Sequence, residues 1–412
     1  MEYLHPSSLP ANKSELDIFN VPPTQVAIDS VYETDYRPAA SLESSRTYEL
    51  IIPASEDFTD LSATMLHMNI NILKGDSKVV NTTNLVKLVS NFGNALFEQI
   101  DLFLGSTNTS LANNMYHYQA YIEDLLYRYP TNIDESFIKN ATIVSEDKTY
   151  ELYYRLHLPL CLQDKLLING IPLVFRFTRS QSTFPLIRMK DGDKENYSIH
   201  ISNFTLHLTR VKLFPDAHAT IIHTLETHPA KYFITRADTK SFTIPSGVST
   251  MTIENLFVGQ LPKRIIIGCV KEEALNGDIN HNPFNFENFN INHICLNIDG
   301  VIYPSIPYKP DFNKGNCMRE YLSLYKALNQ DEGIPQIELT YEQYKNGNVL
   351  FAFDIGGPLG AESGVLSLIK RGKIRLEIRF DKSITSSIKA IVFGQFDNLI
   401  TIDKDRQVTI DY

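Results

Sequence analysis

The chain is 412 residues long, enough for two domains of roughly 200 residues rather than one small core. Hydrophobic residues make up 43% and charged residues 21%, ordinary globular usage, so most of the chain should fold. A net charge of −10 argues against a protein built to grip phosphate backbones. No uncharged apolar run reaches the length of about 18 residues that a membrane span needs.

With 23 Phe, 21 Tyr and no Trp, beside frequent Thr and Asn, the composition suits a pleated, half-buried surface and hence a β-rich fold. Residues 1–45 read as an extended N-terminal arm. Pro6, Pro10, Pro22, Pro23 and Pro38 interrupt them, and the apolar anchors are few: Leu16, Ile18, Phe19, Val26 and Ile28. Met1 to Pro10 is polar and lacks the basic start and apolar core of a signal peptide, so secretion by that route is not expected.

From Thr47 onward the dominant signal is period-two alternation, the mark of strands with one buried face. Leu66, Met68, Ile70 and Ile72 alternate with polar residues; Ile100, Leu102 and Leu104 follow and stop at Gly105. Leu152 to Leu160 and Leu173, Phe175 and Phe177 continue the pattern. Ile199 to Leu208 slips phase at Ser202-Asn203, which predicts a β-bulge. Met115, Tyr118, Ile122, Leu125, Leu126 and Tyr129 sit at helical spacing before Pro130. A short helical segment from Pro215 to Thr227 lies near the midpoint and makes a linker.

Strand candidates in the second half are Ala230–Ile234, Ser241–Ile244, Val248–Val258, Lys263–Val270, His293–Ile298, Asn348–Phe353, Lys373–Phe380, Ser387–Phe396, Leu399–Ile402 and Gln407–Ile410. The plan repeats. A helix starting at Met115 has a counterpart at Met318, and 318 − 115 = 203; a strand ending at Phe177 has one ending at Phe380, and 380 − 177 = 203. Two β-rich halves, each with one aromatic helix in an equivalent place, point to duplication of an antiparallel sandwich or barrel.

Chemistry-bearing patterns are weak. Cys161, Cys269, Cys295 and Cys317 form no CxxC pair and suit buried thiols in a reducing compartment. His293-Ile-Cys295 lacks a second pair at zinc spacing and is read as core packing. His218, His223 and His228 are five apart and cannot share a helix face. Gly372-Lys373 lacks the rest of a P-loop, and Lys370-Arg371-Gly372-Lys373 reads as a solvated rim. Gly356-Gly-Pro-Leu-Gly360 reads as an exposed turn. Asp191-Gly-Asp193-Lys-Glu195 starts like a calcium loop, but Asn196 replaces the required glycine. Tyr116, Tyr118, Tyr121, Tyr127 and Tyr129 are read as packing or subunit-contact material rather than a stacking platform. No catalytic, cofactor or metal site is expected.

Several phrases carry a resemblance. They are Glu15-Leu-Asp-Ile-Phe19, Val21-Pro-Pro-Thr-Gln25, Tyr36-Arg-Pro38 and Pro159-Leu-Cys-Leu-Gln-Asp-Lys-Leu-Leu-Ile-Asn-Gly170. Further on come Glu254-Asn-Leu-Phe-Val-Gly-Gln-Leu-Pro-Lys-Arg264, Asn282-Pro-Phe-Asn-Phe286 and Leu350-Phe-Ala-Phe-Asp354. From about residue 15 to the C-terminus the chain resembles the major capsid proteins of Polinton (Maverick) elements, which are hexon-like. The resemblance implies an all-β chain of two tandem eight-stranded jelly-roll sandwiches: an arm at 1–45, jelly rolls at 46–214 and 230–412, and a helical linker at 215–229. It further implies a structural protein of the virion of a double-stranded DNA virus or Polinton-like element, with no enzymatic activity, assembled inside the host cell. Its partners would be two copies of itself in a homotrimer, neighbouring capsomers and a minor capsid (penton) protein, without sequence-specific nucleic acid. Phe19, Val21 and Pro22 are the expected subunit-contact residues of the arm. The alternatives are a tandem jelly-roll lectin and a sandwich-fold hydrolase, whose carboxylate pair would be invisible among 48 acidic residues.

Overall fold

The computed structural model describes residues 6–7, 14–16, 18–19, 21–42, 45–75, 78–79, 86–127, 149–189, 195–328, 339–356, 366 and 368–411. In the first half, β1 (Ile28–Tyr36), β2 (Thr47–Ile52) and β3 (Phe58–Lys74) are followed by the short β4 (Lys78–Val79) and β5 (Val86–Leu88). Helix α1 (Phe92–Ala95), β6 (Phe97–Leu104), β7 (Thr107–Asn108) and helix α2 (Tyr116–Tyr127) come next, then β8 (Tyr150–Arg155), β9 (Leu173–Arg179), β10 (Leu186–Arg188) and β11 (Tyr197–Leu213). Helix α3 (Pro215–Leu225), with proline in its first turn, leads into the second half.

There β12 (Ala230–Ile244), β13 (Thr250–Ile253) and β14 (Arg264–Lys271) precede helix α4 (Glu272–Leu275) and the hairpin β15 (Ile291–Ile298) and β16 (Val301–Tyr308). Helices α5 (Met318–Ala327) and α6 (Tyr341–Lys345) lead to β17 (Leu350–Asp354), β18 (Ile374–Phe380), β19 (Ile388–Ile402) and β20 (Val408–Ile410).

Each half is a pair of four-stranded antiparallel sheets wound the same way. In the first, β1-β11-β3-β8 faces β2-β9-β6-β7; in the second, β12-β19-β14-β17 faces β13-β18-β15-β16. Numbered within each half with the short β4, β5 and β10 left out, both read first-eighth-third-sixth against second-seventh-fourth-fifth, which is the double Greek key of a jelly roll. The sheets of each half do not join into a closed barrel; β4 and β20 extend their neighbours, and β5 pairs with β10.

The repeat extends to register. Leu102 pairs with Phe175 and Leu104 with Leu173; in the second half Ile294 pairs with Ile378 and Leu296 with Leu376. Since 378 − 175 = 203 and 376 − 173 = 203, the offset read from the sequence holds between β9 and β18, while their partners β6 and β15 stand 294 − 102 = 192 apart. All eight of these side chains are buried in the sandwich cores. The ladder between β3 and β11 slips between Ile201 and Asn203, where the alternation changes phase.

The structure corrects several sequence expectations. Residues 28–36, assigned to the arm, form the outer strand β1 and pair with β11 from Ile28↔Leu213 to Tyr36↔Leu206. Their side chains are mostly exposed, so the strand shows no alternation. The expected strand over Val248–Val258 shortens to Thr250–Ile253, and β16, which contains Pro304 and Pro307, was not expected at all. Ala230–Ile234 and Ser241–Ile244 are one strand, β12; Ser387–Phe396 and Leu399–Ile402 are likewise one, β19.

The two halves meet along an aromatic seam. Helix α2 is buried almost all round, and its Tyr118 hydroxyl donates to the Pro283 carbonyl at 2.8 Å. Tyr121 stacks on Phe284 with ring centroids 4.4 Å apart and planes within 3°, and its hydroxyl donates to Asn348 Oδ1 at 3.0 Å. Phe184 meets Phe284 edge-on at 5.8 Å. Arg406 closes another part of the contact by donating to the Asn169 carbonyl and Oδ1 at 2.7 and 2.8 Å. Tyr116, Tyr118 and Tyr121 are therefore packing residues; Tyr129, Pro130 and the side chain of Tyr127 lie outside the described residues.

Candidate assembly surface

The arm residues stand away from the cores. Phe19 is 89% exposed and Val21 88%, and Pro22 is exposed too. Leu16, Ile18 and Val26 are likewise exposed, and none of these residues packs against the buried clusters. The segment is tied down where it reaches β1: Gln25 Oε1 accepts from the Ile28 amide at 2.8 Å and Gln25 Nε2 donates to the Ile28 carbonyl at 2.9 Å. A run of large apolar side chains held in water is costly unless something covers it.

A second apolar surface belongs to the edge strand β16 and the adjoining helix α5. Val301, Ile302, Ile306, Met318 and Leu322 are exposed there. The bare strand edge is blunted, because Pro304 and Pro307 offer no N–H and Arg319 donates to the carbonyls of Ile306 and Pro307 at 2.6 and 3.1 Å. What this surface offers a partner is therefore side-chain contact rather than an added strand. A third surface lies where the loop after β13 meets that before β18. Val258 and Leu368 project at 85% and 86% exposure, with Ile369 beside them. Cations rim it: Arg236 over the Phe396 ring at 4.3 Å and Lys240 over Phe257 at 4.7 Å. Lys370 and Arg371 are exposed, as a solvated rim would be.

Polar groups gather inside the first half, a feature the sequence reading missed. His157 Nδ1 lies 2.7 Å from Glu123 Oε2, and its Nε2 lies 3.0 Å from Asp124 Oδ1, all three side chains being buried. Burial opposes charging the imidazole, but the two carboxylates overcome it and push the His157 pKa up to about 10. Burial raises Glu123 itself above the usual carboxylate range. His117, on the same helix as the carboxylates, is packed against Phe184 at 4.4 Å, and burial lowers its pKa to about 3. The adjacent acidic pair Glu123-Asp124 on a helical stretch was the only sequence signal; the histidine that answers it lies 34 residues from Glu123.

All four cysteines are free and buried, and burial pushes the Cys161 and Cys269 thiols up to about 12, so neither is a nucleophile at neutral pH. His293 is half-buried and Cys295 buried, two positions apart on β15. Cys295 Sγ lies 3.5 Å from His293 Nε2, and the Glu377 carboxylate completes a group whose donor atoms all fall within 4.8 Å of one another. Burial, Arg379 and Lys309 lower the His293 pKa, keeping the ring neutral. A second group, Glu273, Asp278 and His281, is more exposed. Asp191 to Lys194 and Gly357 to Gly360 lie outside the described residues. No helix among the described residues is long and apolar enough to cross a membrane.

No family model matches the chain. A Caenorhabditis elegans protein described as "Uncharacterized protein F54H12.2" is 21% identical over 95% of this chain and 99% of its own length. Solved structures align end to end. The Sputnik virophage structure gives a TM-score of 0.63 at 12% identity, covering 98% of this chain and 93% of that one. The PBCV-1 virus capsid gives 0.60 at 10% identity, covering 96% and 99%. The mavirus major capsid protein gives 0.56 at 9% identity, covering 100% and 97%. The chain is thus a double jelly roll, in the fold these viral capsid proteins share.

Proposed function

We propose that the chain is a major capsid protein whose homotrimers build an icosahedral shell. One observation carries the reading: a single chain holds the same eight-strand winding twice, in sequence and in register. Three such chains about one axis give six similar lobes, which fill a hexagonal lattice position without six separate subunits. The end-to-end likeness to viral capsid proteins supports this reading over a tandem lectin or a hydrolase.

In this reading the protein has a structural role in a virion and carries out no catalysis. The exposed arm, with Phe19, Val21 and Pro22, reaches a neighbouring capsomer, and a minor capsid protein closes the vertices. Each contact is modest, and repetition over the shell makes the assembly stable. A full-length relative in an animal, combined with a viral fold, favours a genome-resident element of the Polinton kind. Mass measurement in solution followed by negative-stain imaging of the purified chain tests the proposal. Trimers seen as hexagonal particles are expected; a stable monomer at all concentrations would overturn it.

A further inference from the structure

We infer that His293, Cys295 and Glu377 form a binding site for a zinc-class divalent cation on the outer face of the sheet β13-β18-β15-β16. Ile294 and Leu296 of β15, with Leu376 and Ile378 of β18, point into the core. The alternating residues His293, Cys295 and Glu377 therefore share the opposite face. Register brings the third donor in, since Cys295 pairs directly with Glu377 across the ladder.

The donor set and spacing suit the ion. Imidazole, thiolate and carboxylate are the three ligand types zinc takes. With Zn–N near 2.05 Å and Zn–S near 2.3 Å, a tetrahedral pair of ligand atoms stands roughly 3.6 Å apart. The Cys295 Sγ to His293 Nε2 separation is 3.5 Å, and all three donors lie within 4.8 Å of each other. The backbone is adapted at this point. β15 slips register with β18 between Ile291 and His293, and with β16 between Ile294 and Leu296. Opposite Cys295, β16 bows out, because Ile294 pairs with Tyr308 while Leu296 pairs with Tyr303. Bulges of this kind re-aim side chains.

The duplicated half supplies an internal control. The position pairing as Cys295↔Glu377 is occupied there by Phe103↔Val174, since 377 − 174 = 203 and the flanking pairs match. A jelly roll of this plan is thus built with an apolar pair at that place. The thiol and carboxylate are not demanded by the fold, and three protein donors leave one position of the ion open to water.

The test is cobalt(II) titration of the full-length protein under reducing conditions, which reads thiolate coordination directly and is independent of whether the chain assembles. A near-ultraviolet thiolate-to-cobalt band saturating at one equivalent and displaced by zinc is expected. Cys295→Ser should abolish the band. Glu377→Val, which installs the residue of the other half, should keep the fold and weaken cobalt binding by roughly tenfold or more. Absence of the band in the unmodified protein overturns the inference, as does an unchanged band in Cys295→Ser. Should Cys295→Ser fail to fold, an unchanged affinity in Glu377→Val overturns it instead.

Discussion

Two histidines of the first half are held in opposite charge states by their surroundings, and this sets how the protein responds to pH. His157 is clamped between Glu123 and Asp124 and carries a folded pKa of about 10, above its unfolded value near 6.5. Its stabilisation is therefore complete below about pH 6.5 and is lost as pH rises toward 10. His117 is buried with Nδ1 finding no partner among the described residues, and its folded pKa falls to about 3. The unfolded chain takes up that proton first, so stability is lost as pH falls from about 6.5 toward 3. Thermal melts across this range should pass through a maximum near neutrality. His157→Gln should flatten the alkaline decline and lower stability by about 3–5 kcal/mol, because it strands two buried carboxylates. His117→Phe, which fills the same aromatic niche, should soften the acid decline. An alkaline limb untouched by His157→Gln would mean that the clamp holds a neutral ring.

At the level of elements, the arm and β1 make opposite demands on a truncation. The described apolar residues before Gln25 are exposed, whereas β1 pairs with β11 over Leu206 to Leu213. Removal of residues 1–24 should leave the melting temperature unchanged, since surface changes away from packed features stay within about 0.5 kcal/mol. In the capsid reading the same deletion leaves trimers that no longer form shells, and particles of normal yield would refute that role for Phe19, Val21 and Pro22. Removal of residues 1–45 should instead unravel the sheet β1-β11-β3-β8 and give insoluble protein. The sequence alone did not separate these cases, for a physical reason. Alternation marks a strand with one wet and one dry face, and β3, β9 and β18 have that character. β1 is wet on both faces, β16 is wet and broken by prolines, and the middle of β19 is dry on both, so all three lose the period. The site was legible only in part. His293-x-Cys295 is visible as an i, i+2 pair, but Glu377 joins it through ladder register, which no local pattern encodes.

For the whole molecule, the question is what keeps two look-alike sandwiches at a fixed angle. In the capsid reading, six lobes can sit on a hexagon only if the angle within a chain matches the angle between chains, so a loose hinge between halves would defeat that proposed arrangement. The aromatic seam supplies the stiffness. Tyr118, Tyr121 and Phe184 from the first half enclose Phe284 and Phe286 from the second, with two tyrosine hydroxyls satisfied across the boundary. Phe284 is 2% exposed and sits at the centre of this cluster. Phe284→Ala removes a ring that the relatively rigid neighbours cannot replace, at a cost of about 3–5 kcal/mol. The loss falls on the coupling between halves rather than on either core, because the ladders within each half are untouched. Denaturant unfolding of the unmodified chain should therefore follow one transition, while Phe284→Ala should separate it into two, one for each sandwich. A variant that still melts in a single step, merely shifted, would place the cooperative unit elsewhere and leave Arg406 and Asn169 as the contact to dissect next.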